Sequence, residues 1–124
     1  MEYNLVLIED DPFIKQMYYN KIEEININVL TALSKDDLKL ILDKNKVDII
    51  LLDLILPNTS GFDILQWLQN ENKLKDIPVI VLSNLSSQAD IDQAFELGAV
   101  DYMVKSNYTP AEVVRTIQKY LPKN

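Results

Sequence analysis

The sequence predicts a doubly wound α/β fold, a five-stranded parallel sheet between two layers of helices, and three observations carry that prediction. Apolar runs of strand length recur at residues 5–8, 28–31, 48–52, 78–82 and 100–104. They are rich in Val, Ile and Leu without polar alternation, as expected of strands buried on both faces. The intervening segments have helical period instead, and several open on capping residues.

The intervals support this in order. Ile14, Met17, Tyr18 and Ile22 form the first helical stripe, and Asp11-Pro12 reads as an N-cap followed by proline at the first helical position. Leu38, Ile41 and Leu42 form the second, behind Ser34-x-x-Asp37, a weak capping box. Ile64, Leu65 and Leu68 give the third; Ile91, Ala94 and Phe95 give the fourth, which Gly98 stops. Val113, Val114, Ile117 and Leu121 make the fifth, opened by the strong box Thr109-Pro110-Ala111-Glu112. Strict (βα)5 alternation requires parallel strands with helices on both faces. Two strand orders satisfy it, and a chain this short favours the flavodoxin-like order 2-1-3-4-5.

Composition bounds the function. At 124 residues, 48% of them hydrophobic and 25% charged, the chain fits one domain, with no linker-like tract and no effector domain expected. The uncharged apolar run at residues 49–52 is far too short to span a bilayer. The stretch MEYNLVLIED lacks the basic and long apolar regions of a signal peptide, and with no cysteine in the sequence a cytoplasmic protein is expected. A net charge of −7 argues against direct capture of nucleic acid or an anionic membrane. The absence of histidine excludes His bases, triads and His metal sites, leaving carboxylates, hydroxyls and lysine to do any chemistry.

In open α/β sheets ligands bind beyond the carboxyl ends of the strands, at the switch point, here between the first and third strands. The first strand exits through Glu9-Asp10-Asp11, the third through Asp53, the fourth through Ser83 and the fifth through Lys105. The second, away from the crevice, exits through Ala32 and Leu33. Each polar residue alone has a plain structural explanation: Asp11 reads as a helix cap, Ser83 as a turn residue, Lys105 as a solvated charge. Their convergence on one crevice is harder to explain structurally. Clustered carboxylates repel unless a cation intervenes, and all-oxygen ligation suits Mg²⁺, for which Mn²⁺ could substitute. A metal beside an uncapped Asp53, with a lysine and a hydroxyl opposite, is an arrangement for phosphoryl transfer.

With LVLIEDDP at the first strand, DIILLDLILPNTSG around the third, VIVLSN at the fourth and GAVDYMVK at the fifth, the chain resembles the receiver domain of two-component response regulators, the single-domain chemotaxis type in particular. The likeness extends over about residues 3–121. It implies that Asp53 accepts a phosphoryl group from a histidine kinase or histidine phosphotransfer protein, with catalysis confined to self-phosphorylation and slow self-dephosphorylation. Asp10 would bind Mg²⁺ directly, Glu9 through water, and Ile55 through its backbone carbonyl. Ser83 would hydrogen-bond the phosphoryl group, Lys105 would pair with it, and Tyr102 matches the aromatic switch residue. Output to a downstream protein would pass through the fourth helix, fifth strand and fifth helix, by a monomer or a phosphorylation-driven dimer. Pro57 and Gly61 match the loop after the phosphoacceptor, where turn geometry explains them.

There are departures. Lys105 is followed by Ser106 where the family usually has a cis-proline, and a cis bond to a non-proline residue costs about 2.5–4 kcal/mol. The loop therefore carries that strain or takes another path. Asn84 replaces a small residue and would crowd the phosphoryl pocket or hydrogen-bond it. The positions that tune hydrolysis in the family are Ile55 and Leu85, apolar side chains that cannot orient a water, so slow hydrolysis is expected. An alternative is a non-phosphorylated receiver-like module for protein interaction or dimerisation, against which the complete set of acids, Ser83 and Lys105 argues. A phosphatase of the haloacid-dehalogenase type would need a second acid where Ile55 stands, and a flavodoxin would need a phosphate loop in place of EDDPF.

Overall fold

The computed structural model describes residues 3–122. Strands β1 (Tyr3–Ile8), β2 (Ile27–Ala32), β3 (Ile49–Leu52), β4 (Val79–Ser83) and β5 (Asp101–Val104) form one sheet in the order β2-β1-β3-β4-β5. All four pairings are parallel. The helices are α1 (Pro12–Glu23), α2 (Lys35–Lys44), α3 (Gly61–Asn70), α4 (Gln88–Glu96) and α5 (Pro110–Tyr120). The fold is the one expected from the sequence.

The two-residue period of each strand sorts its apolar side chains between two cores. Leu5, Leu7, Ile49, Leu51, Ile80, Leu82 and Met103 meet Tyr18 and Ile22 of α1 and Val113 and Ile117 of α5. On the opposite face Val6, Ile8, Ile50, Leu52, Val79, Val81 and Tyr102 meet Leu38 of α2, Ile64, Leu65 and Leu68 of α3 and Ala94 of α4. With both faces covered, the free polar ends of the strands are the place left for a site.

The expected caps form. The Asp11 carboxylate accepts the Phe13 and Ile14 amides at 2.9 and 3.1 Å. Thr109 and Glu112 close a reciprocal box. Ser34 accepts the Asp37 amide at 3.1 Å, but the Asp37 carboxylate reaches past the cap to the Leu33 N–H at 3.0 Å. Gly98 has φ +104° and ends α4: its own amide donates to the Phe95 carbonyl, and the Ala99 amide donates to the Ala94 carbonyl.

Two stripe residues depart from expectation. Met17 and Phe95, read as core residues, are exposed at 42% and 46%. The inward face of α4 runs through Ile91, Ala94 and Leu97, and Phe95 lies about 100° around the helix from Ala94. Among the described residues no helix is long and apolar enough to cross a membrane.

Candidate functional site

The site is assembled at the carboxyl edge of the sheet by residues that leave β1, β3, β4 and β5. Glu9 and Asp10 follow directly on β1 and diverge in environment. Glu9 is buried, whereas Asp10 is exposed to solvent. Asp11 is occupied as the α1 cap, as the sequence indicated.

Asp53 is the first residue beyond β3, and its amide still continues the sheet ladder by donating to the Ile8 carbonyl at 3.0 Å. That bond aims its side chain over the strand ends, where it is only 5% exposed. One carboxylate oxygen, Oδ1, accepts the Ile55 amide at 3.1 Å; the other, Oδ2, accepts the Lys105 ammonium at 2.8 Å. Lys105 Nζ also lies 2.6 Å from Glu9 Oε1, so one ammonium bridges two buried carboxylates.

Oxygens from Glu9, Asp10 and Asp53 all lie within 4.8 Å of one another. Three carboxylates against one ammonium leave two uncompensated negative charges, the complement of a divalent cation. The donors are all oxygen, and Asp10 opens the cluster to water, as suits an ion that keeps part of its hydration shell. The cluster could therefore hold a metal ion.

Burial by itself pushes the pKa of Lys105 down, but hydrogen bonds and charge from Asp53 and Glu9 outweigh it and hold the pKa above its usual value. Since the folded value lies above the unfolded one, the stabilisation from this ammonium is fully present below pH 10.5 and lost as pH rises through the folded value. The melting-temperature difference between the protein and its Lys105→Met variant is expected to hold at mildly alkaline pH and to close only above pH 10.5. A difference that already closes near neutrality would contradict the ion-pair account.

Ser83 and Tyr102 meet through one backbone residue. The Ser83 hydroxyl, fully buried at the end of β4, accepts the Leu85 amide at 3.3 Å. The Leu85 carbonyl in turn accepts the Tyr102 hydroxyl at 2.6 Å. The side chain of Leu85 packs against the core, and that of Ile55 stands 53% exposed beside Asp53. Asn84 is exposed, and among the described residues its side chain makes no hydrogen bond in the pocket. The Lys105–Ser106 peptide is trans, since the described residues contain no cis bond, and residues Lys105–Asn107 form a short 3₁₀ turn instead.

Two contributions escaped the sequence reading. Tyr18, assigned only to the core stripe of α1, has a phenol pKa raised first by burial; Lys105 opposes the shift, and Glu9 and Asp53 add to it. It therefore lies within the field of the site, and a tyrosine in an otherwise aliphatic stripe was the available signal. Gly61, ascribed to turn geometry, is required by close approach. A Cβ there would fall inside contact distance of the Asp53 carbonyl oxygen and 2.5 Å from Leu54 Cα.

Comparison with known proteins follows the same lines. The family profile described as "Response regulator receiver domain" matches residues 5–118. The phosphate regulon transcriptional regulatory protein PhoB of Pseudomonas aeruginosa is 29% identical over 117 residues, covering 94% of this chain and 51% of that protein. The DNA-binding dual master transcriptional regulator RpaA of Synechocystis is 33% identical over 101 residues, covering 82% of this chain and 42% of its own. The chain spans about half the length of the curated relatives it matches. Among solved structures, the receiver domain of the Francisella response regulator 1452 superposes with a TM-score of 0.85 at 25% identity, over 96% of each chain.

Proposed function

Because the chain belongs to the response regulator receiver domain family, we propose that it is a phosphorylation-dependent switch in which Asp53 is the phosphoacceptor. The observation that carries this reading is the placement of Asp53. It is buried, hydrogen-bonded to the Ile55 amide and the Lys105 ammonium, and within reach of the Glu9 and Asp10 oxygens.

The donor is a phosphohistidine on a histidine kinase or histidine phosphotransfer protein. A carboxylate oxygen of Asp53 attacks phosphorus; the O–P bond forms as the N–P bond breaks, and its electron pair returns to the imidazole. Asp10, Asp53 and the Ile55 carbonyl would hold Mg²⁺, with Glu9 acting through water; when bound, the ion neutralises charge building on the phosphoryl oxygens. Lys105 uses two of its three N–H donors on Glu9 and Asp53, which leaves the third for a phosphoryl oxygen.

The chain of contacts from Ser83 through Leu85 to Tyr102 supports a route outward. If the Ser83 hydroxyl turns to the phosphoryl group, the Leu85 amide loses its partner and the loop carrying the Tyr102 acceptor must adjust. The exposed apolar residues Phe95 on α4 and Val100 before β5 favour the α4-β5-α5 face as the output surface toward a downstream protein. Neither Ile55, which is apolar, nor Leu85, which is packed inward, offers a group to orient a hydrolytic water, so the phosphoaspartate is long-lived.

Incubation with Mg²⁺ and acetyl phosphate should add one phosphoryl group by intact mass, and chelation of the metal should prevent it. After donor removal the adduct should persist for many minutes to hours. No adduct in the presence of Mg²⁺ would overturn the switch reading, and decay within seconds would overturn the slow-hydrolysis part of it.

A further inference from the structure

Glu9 has both oxygens committed inside the protein. Oε1 pairs with Lys105 Nζ at 2.6 Å, and Oε2 accepts the Asp11 amide at 3.1 Å. The carboxylate is 3% exposed at the side chain, while Asp10, its neighbour in the cluster, faces solvent. Glu9 and Lys105 come from opposite sides of the site: β1 and β5 stand three places apart in the order β1-β3-β4-β5.

We propose that Glu9 serves phosphorylation as the positioning residue of Lys105, and not chiefly through the metal. This rests on the reading of Asp53 as phosphoacceptor. A lysine stem that crosses the ends of neighbouring strands has many rotamers unless its tip is held. Asp53 holds the tip only until it reacts. Once its oxygen is part of the O–P bond, the carboxylate charge that drew the ammonium has passed to the phosphoryl group. Glu9 is unchanged by the reaction and keeps Nζ in place while the third N–H engages a phosphoryl oxygen. The hold is mutual, because a buried Glu9 without Lys105 would keep only one backbone amide as partner.

Two measurements separate this role from metal binding. The first is a cycle of Glu9→Gln, Lys105→Met and the double variant, with phosphorylation by acetyl phosphate timed at saturating Mg²⁺. Glu9→Gln should slow the reaction about tenfold alone and less than about twofold in the Lys105→Met background, as expected of residues acting as one unit. The second is ¹⁵N-lysine NMR of the metal-free protein in an Asp53→Asn background, where the Asp53 charge no longer draws the ammonium and Glu9 is left to hold it. The Lys105 ammonium should give an exchange-protected signal that Glu9→Gln loses and Asp10→Asn retains. Far-UV circular dichroism verifies the fold, and Glu9→Asp, which keeps the charge but shortens the reach, should behave as Glu9→Gln does. A tenfold loss that persists without Lys105, or an ammonium signal that survives Glu9→Gln, overturns the proposal. The NMR signal needs neither metal nor phosphodonor. Failure of Asp53 to be phosphorylated would therefore sink the switch reading while leaving this signal to report on Glu9.

Discussion

If Asp53 is the phosphoacceptor as proposed, Asp53→Asn is expected to take up no phosphoryl group from acetyl phosphate and Mg²⁺, a loss of at least about a thousandfold in rate, because an amide would stand in place of the attacking carboxylate. The substitution is nearly isosteric, so the buried position and the ladder bond from its amide to Ile8 remain available. What changes is the charge and the hydrogen bonding. Asp53 now accepts from two donors, the Ile55 amide and the Lys105 ammonium. Asparagine can accept through only one of its two terminal atoms, so one of those donors is left facing an NH₂ group. The carboxylate cluster also falls from three acids to two, which weakens its hold on a divalent cation. Intact mass over a time course measures the first effect and Mn²⁺ titration the second. A full adduct on Asp53→Asn would assign the phosphoacceptor to another residue.

Gly61→Ala is expected to destabilise the protein by about 1–3 kcal/mol, the range for forcing extra volume into a packed site. Here the atoms in the way are backbone, the Asp53 carbonyl and Leu54 Cα, and they cannot swing aside as a side chain would. The helix must retreat, and two features move with it. The Gly61 amide donates to the Leu54 carbonyl at 3.0 Å, and Ile55 bridges to Ser60 across the same loop. Both tie the start of α3 to the residue pair following Asp53. Acetyl phosphate labelling should therefore slow together with the fall in the urea midpoint. Unchanged stability would mean that the loop relaxes without cost and that the close approach is not a constraint.

Much of this was legible in the sequence because it is local. The caps at Asp11 and Thr109 and the positive-φ stop at Gly98 are set by residues within one helical turn of the elements they bound. The sheet order followed from alternation and chain length. Phe95 misled because a period of 3.6 leaves the edge of an apolar stripe ambiguous, and the neighbouring layer settles which edge is covered. The Lys105–Ser106 peptide could not be read, since its isomer depends on how the whole loop packs.

The sequence by itself determined the doubly wound fold and that acids, a hydroxyl and a lysine leave the strands at one end, since strand ends and strand order place them. Only the tertiary structure decided how those groups divide the work. That Lys105 lies closer to Glu9 than to Asp53, that Leu85 joins Ser83 to Tyr102 through its backbone, and that Gly61 is needed for close approach all depend on distances between residues far apart in the chain. Such distances are products of packing two cores against one sheet, and no local pattern of residues encodes them.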